Sequence, residues 1–273
     1  MINIKKGGAY MDIKPTDLIN LVNNNPELTT KVYEDLVQPS VQNIGKAAGT
    51  ITSTLDILLA PISWAIHGFE IINQKVKAGL EKKLADTPPE NLTEPEANIV
   101  VPAYEALRYT LDKESLKEMY INLIAASMKK DTKDQIHPAF VEIIKQLSPL
   151  DALIFKEFCD NDINPIINLR IESEGTEQEK NVNIIKNITL LKNSDFYHSS
   201  VSVDNLIRLN LITINNSNYM DDKFFEPFYD LEIYKCYKKQ LDELNITYLG
   251  IEKHILKITS IGKMFYDICV KDL

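Results

Sequence analysis

Residues 114–151 read ESLKEMYINLIAASMKKDTKDQIHPAFVEIIKQLSPLD, and their pattern decides the fold. Leu116, Met119, Tyr120, Leu123, Ile124 and Met128 recur at steps of mostly three and four, which sets them on one helical face. The run 129–135, KKDTKDQ, has no apolar residue and reads as solvated loop. Proline lacks an N–H and fixes its own φ, so His137-Pro138 opens the next helix. That helix has Phe140, Ile143, Ile144 and Leu147 as its apolar face. Ser148-Pro149-Leu150-Asp151 is a further start signal, with Ser148 as N-cap and an acid in the first turn. Burying one large apolar side chain contributes roughly 1.5–3 kcal/mol. This set is therefore expected to form a core that joins the two halves of the chain.

The whole chain has 273 residues, 44% hydrophobic and 25% charged, the balance of a globular protein of one large or two modest domains. Its formal net charge of −9 argues against non-specific binding to nucleic acid or anionic lipid, since both need a basic surface. Cys159, Cys236 and Cys269 are odd in number and widely spaced, without a CxxC, and read as reduced, buried thiols of a cytoplasmic protein. The first residues, MINIKKGGAYMDIKP, carry no apolar run of the secretory kind. A cytoplasmic location is expected, with a peripheral position on the inner face of the membrane as the alternative.

Upstream of the deciding stretch, residues 1–39 read as a peripheral segment with short helices around Leu18–Val22 and Leu28–Leu36. Residues 41–84 are helical in character and rich in small and apolar residues. Gly45 and Gly49 stand four apart with Ser53 four further on, a step that lets helices approach closely. Trp64 and Phe69 belong to the apolar run that follows. Two readings stand: a buried helix kinked at Pro61, or a segment, 45–72, that meets a membrane or a partner through Gly45, Gly49, Trp64 and Phe69. The run from Ile57 to Ile66 is shorter than the roughly 20 residues a spanning helix needs. Residues 85–102 carry four prolines and several acids and read as an extended strap, with Pro102 opening the helix AYEALRYTL.

Downstream, IESEGTEQEK is a solvated acidic loop, and NVNIIKNITLLKN is expected to be helical. SVSVDNLIRLNLITI reads as a helix running into a strand. EIYKCYKKQLDEL is an amphipathic helix, and ITYLG and HILKIT are short strands. Thr259 or Ser260 caps a last helix. The order helix, helix, helix–strand, strand, helix suggests a winged-helix module with residues 215–250 inserted between its strands. The expected fold is mainly α: a helical domain over 40–147, then a winged-helix-like α+β module over 148–273.

The sequence shows no GxSxG, Walker, HExxH or GxGxxG pattern. His67, His137, His198 and His254 are scattered, without the short spacing of a metal site. No catalytic, cofactor-binding or metal-ligating residue is assigned, and no small-molecule substrate. For nucleic acid, the candidate contacts are Asn205 and Arg208 on the presumed recognition helix, with Lys192 upstream. The module, however, holds 20 acidic against 14 basic residues, a balance of −6. Protein contact or self-association is the preferred use of the module, with DNA binding the alternative.

Two stretches carry a resemblance: TPPENLTEPEANIVVPAYEALRYT, then LKEMYINLIAASMKKDTKDQIHPAFVEIIKQLSPLDA. Pro88–Leu92 with Glu94-Pro95, Leu116–Met128 and His137–Pro149 resemble the abortive-infection alpha (Abi-alpha) family of bacterial phage-defence proteins. The resemblance covers about 50–155 and, more loosely, LIRLNLI and KITSIGKMF. It implies a part in abortive infection, in which an infected cell halts or dies, and it carries over no catalytic residues. Beside it, the residues themselves suggest a non-enzymatic protein working through protein interaction. A membrane-perturbing effector through 45–72 or a DNA-binding regulator are the alternatives.

Overall fold

The computed structural model describes residues 2–6, 9–13, 59, 69–172, 181–191, 196–216, 221–244 and 249–273. The protein is mostly helical, with a four-stranded antiparallel sheet. The helices expected around Leu18–Val22 and Leu28–Leu36, the kink at Pro61 and residues 173–180 of the acidic loop fall outside the described residues, while Ile171 and Glu172, expected in that loop, end a strand. Near the start, β1 (Ile2–Lys6) pairs antiparallel with β2 (Ala9–Ile13). Two extended runs around Gly7-Gly8 are a hairpin signal that the reading of this segment as merely peripheral passed over.

Helix α1 (Phe69–Leu84) buries Ile72, Val76, Leu80 and Leu84, every fourth residue. The strap follows, and α2 (Ala97–Leu107) begins five residues before Pro102, so proline lies inside this helix instead of opening it. A helix-interior proline costs about 3 kcal/mol. Ile99, Val100, Tyr104 and Leu107, all buried on both sides of it, outweigh that cost. Helix α3 (Glu114–Ser127) is buried nearly all round. It packs against α1, α2, α4 (Ala139–Lys145), α5 (Pro149–Asp160) and the last turn of the chain. The single apolar face read from its spacing is therefore the central axis of the helical core. The expected face of α4 is buried at all four positions, Phe140, Ile143, Ile144 and Leu147. Ser148 and Asp151 form a complete capping box at the start of α5.

Sheet order is β4-β3-β6-β5, from β3 (Asn164–Glu172), β4 (Asn181–Thr189), β5 (Ile212–Asn216) and β6 (Leu249–Ile258). The segment expected as a helix, NVNIIKNITLLKN, is strand β4. Its spacing misleads because of a bulge. Leu169 pairs with Ile185 and Ile167 with Ile188, so Lys186 and Asn187 together oppose Asn168. Two isoleucines three apart thereby reach the same apolar layer, a spacing that a regular strand forbids and a helix favours. Asn187 adopts φ 59°, the left-handed region that Asn tolerates.

Helix α6 (Phe196–Arg208) runs into β5, and β6 returns beside β5 with Ile212 opposite Ile258, both as expected. The two short strands expected around 246–258 are one strand over 249–258. Where a winged helix would have its second helix, this chain has the antiparallel pair β3–β4, and β5 and β6 are part of a four-stranded sheet. The insertion, with α7 (Glu232–Glu243), covers one sheet face. There Phe225 and Phe228 pack on Ile167, Leu169, Ile185 and Ile188. The opposite face joins the helical core through Ile166, Ile212 and Leu256, under Val203 and Leu206 of α6.

Helix α8 (Ser260–Phe265) is capped by Thr259, whose Oγ1 accepts from the Gly262 N–H at 3.0 Å. A π turn, Tyr266–Val270, ends it. Three helices catch the closing carbonyls: Asn122 donates to Cys269, Lys156 to Lys271 and Lys83 to Asp272.

Candidate functional site

Helix α6 is the ridge on which the polar side chains converge. It ends in a Schellman turn: the Leu211 N–H bonds the Leu206 carbonyl, the Asn210 N–H bonds Ile207, and Asn210 has φ 56°. With that end fixed, one flank of α6 faces β4 and the other faces α5.

On the sheet flank, Ser200 Oγ donates to the Lys186 carbonyl at 2.7 Å, covering part of the β4 edge. Asn187 Nδ2 donates to Asp204 Oδ1 at 2.6 Å, and the Asn187 N–H donates to Asn168 Oδ1 at 3.0 Å. Asn168 Nδ2 donates to Glu252 Oε2 at 2.8 Å, and His254 Nε2 lies 3.2 Å from the same oxygen. The Asn168 amide, and after it His254, hold the Glu252 carboxyl below the usual carboxylate range. With Nε2 turned to Glu252, His254 Nδ1 is buried without a partner. Through these contacts Asn168 of β3 and Glu252 and His254 of β6 hold one another in place across the sheet.

On the other flank, Asn205 Nδ2 donates to the Gln146 carbonyl and to Asp151 Oδ2, both at 2.9 Å. Asn205 Oδ1 accepts from Arg208 Nη2 at 2.7 Å and Nε at 3.1 Å, and Arg208 Nη1 donates to Gln146 Oε1 at 2.8 Å. Asp151 Oδ2 also accepts from the Ser148 N–H at 2.7 Å. The α5 capping box is thus tied to α6, and Asp151 is only 5% exposed. Between the helices lies an open groove of about 510 Å³ whose apolar lining is Leu150 and Val201. Val201 is 69% exposed.

The three thiols, all expected to be buried, are unlike one another: only Cys269 is buried, Cys159 is half-buried and Cys236, on α7, is exposed. Burial, and then Asp160, push Cys159 up to about 12, and burial alone raises Cys269. Burial also raises the Tyr120 phenol, whose hydroxyl has no hydrogen-bond partner among the described residues. Among the described residues no three His, Cys, Asp or Glu side chains gather as metal ligands. No helix among them is long and apolar enough to cross a membrane.

Of the residues singled out in the sequence, Asn205 and Arg208 come together, clamped to each other and to the α4–α5 corner. Every bond that Asn205 makes here is internal. Phe69 is half-buried at the start of α1, its ring 6.3 Å from Tyr104. Gly45, Gly49, Trp64 and Lys192 lie outside the described residues. Sequence reasoning missed Asn168, Asn187 and Glu252, and it set His254 aside as an isolated histidine. The alternation of polar Glu252 and His254 with Ile251 and Ile255 was the available signal.

The sequence model of the family described as "Abortive infection alpha" matches residues 68–269, and the chain belongs to that family. The match runs through the strap, the helical core and α6 to the π turn, well beyond the two stretches that carry the sequence resemblance. No curated protein and no solved structure matches the chain. Membership associates the protein with abortive infection, a form of phage defence.

Proposed function

We propose that this is a cytoplasmic phage-defence protein that acts by binding a protein partner, or another copy of itself, and not by catalysis. The observation that carries the reading is the α5–α6 groove. It presents apolar surface at Val201 and Leu150 beside a guanidinium fixed in place by Asn205 and Gln146. Exposed apolar surface rimmed by polar groups is the usual form of a contact site. In this proposal residues 40–147 form the sensing or effector part. The winged-helix-like part, 148–273, makes the contact.

The test is plating. Cells with and without the gene are challenged with a panel of phages, and lower plaque counts for at least one phage are expected in cells that carry it. Val201→Asp is expected to abolish that protection while leaving the protein level unchanged. Equal plating of every phage with and without the gene overturns the defence reading.

A further inference from the structure

We propose that the α5–α6 groove docks an amphipathic helix of a protein partner, with an apolar residue against Leu150 and Val201 and a carboxylate about two turns along on Arg208. The proposal rests on the protein-contact reading above and names the chemistry of the partner.

Arg208 supplies the first reason. Its guanidinium has five donors. Three of them reach Asn205 Oδ1 and Gln146 Oε1, which are neutral acceptors. They hold the fork still without neutralising it, and among the described residues no carboxylate forms an ion pair with Arg208. Two donors remain for an incoming carboxylate, the planar acceptor that an arginine fork fits best.

The second reason is spacing. Val201, Asp204 with Asn205, and Arg208 fall at i, i+3, i+4 and i+7 on α6, along one stripe. Seven residues of helix span about 10 Å. A helix laid along the groove meets the stripe with an apolar residue at one position and an acid seven further on, the anchor pattern of helix-in-groove recognition. Asp204 lies between, its carboxylate turned to Asn187 on the sheet side.

The third is charge. The chain carries −9 overall, so a polyacidic partner would be repelled at long range. One acid placed on Arg208, in an otherwise neutral or basic helix, satisfies both the local cation and the overall field.

The experiment uses the full chain and three fluorescein-labelled helical peptides followed by anisotropy. All three carry Leu at position i; position i+7 holds Glu, Gln or Lys. The Glu peptide is expected to bind at least about tenfold tighter than the other two. In Arg208→Glu the preference is expected to pass to the Lys peptide. Should that variant fail to fold, Val201→Asp at the exposed position decides, with an expected loss of about tenfold for the Glu peptide. Equal binding of all three peptides, binding of none up to about 1 mM, or unchanged affinity in Val201→Asp overturns the proposal. Plaque counts on the same variants separate the two claims. Protection that survives loss of peptide binding overturns the groove proposal alone. Peptide binding by a protein that protects against no phage overturns the defence reading alone.

Discussion

Two polar regions of this protein, the strap with its corner over 88–138 and the α6 ridge, make hydrogen bonds of different kinds. In the first, side chains bond to backbone. Lys130 Nζ reaches the Glu90 carbonyl, Thr132 Oγ1 the Ala126 carbonyl, and His137 Nδ1 accepts the Ala139 N–H. The strap is also stitched on through backbone: Thr93 N–H to Met128, Lys130 N–H to Asn91. In the second, side chains also bond to side chains, and the network spans five elements: Asn187 to Asp204, Asn168 to Glu252, Asn205 to Asp151, Arg208 to Asn205. Side chain–backbone bonds settle where helices begin and end, a local matter legible as a motif. Side chain–side chain networks settle which elements face one another and leave groups at the surface with fixed geometry. The motif residues over 88–138 are therefore fold punctuation, and the surface proposed for a partner is built where the α4–α5 corner meets α6.

That contrast can be broken at the glycines first. A Cβ on Gly262, at the foot of the ridge, would lie 2.1 Å from the Leu211 carbonyl oxygen, which is backbone and cannot turn aside. Gly262→Ala is expected to cost on the order of 4 kcal/mol or more in urea unfolding. Gly79 meets only the Ile121 side chain, at 2.8 Å, and Gly79→Ala should cost about 1–3 kcal/mol. Equal losses would show that both contacts relax alike.

Phe140 is fully buried and packs edge-on to Phe265, ring centroids 5.4 Å apart. Phe140→Ala should cost about 3–5 kcal/mol. The neighbouring motif residue His137 is exposed and contributes a single cap bond, so His137→Ala should cost at most about 1 kcal/mol. A large loss at His137 would mean that the motif does more than start a helix.

On the ridge, Asn205→Ala removes a donor from the nearly buried Asp151 carboxylate and frees Arg208. A loss of about 1–3 kcal/mol is expected. Combined with Asp151→Ala it should be less than additive, because the two residues share one network. A strictly additive double-mutant cycle would show that they act independently.

The smallest effect is one of pH. The Glu252 carboxyl titrates lower in the fold than in the unfolded chain, so its stabilising share is present above the ordinary glutamate value. It is lost as pH falls through the folded value. Glu252→Gln should therefore be less stable than the parent at neutral pH, and the gap should close on acidification. A gap that widens toward low pH would reverse the sign of this assignment.

How much of the candidate site was legible follows from the same distinction. Ser148 and Asp151 could be named as a capping box because both halves lie within one turn. Asn205 and Arg208 could be named as polar groups on a helix, while their engagement with Gln146 and Asp151 could not, since those lie 54 to 62 residues away. The Asn168–Asn187–Asp204 chain was hidden for a further reason. It depends on the β4 bulge, and the bulge gives a strand the spacing of a helix.

The sequence by itself determined the helix start at Ser148 and another at Thr259 or Ser260, the apolar faces of α3 and α4, the helix-to-strand run of α6 into β5, and the family. Each of these rests on interactions within a few residues or on a periodic pattern of burial. Only the tertiary structure decided that α3 is central, that Pro102 lies inside a helix, that 181–189 is a strand and that Arg208 is oriented by neutral acceptors. Those outcomes depend on which distant side chains fill the space beside each element, and burial against them outweighs local preference.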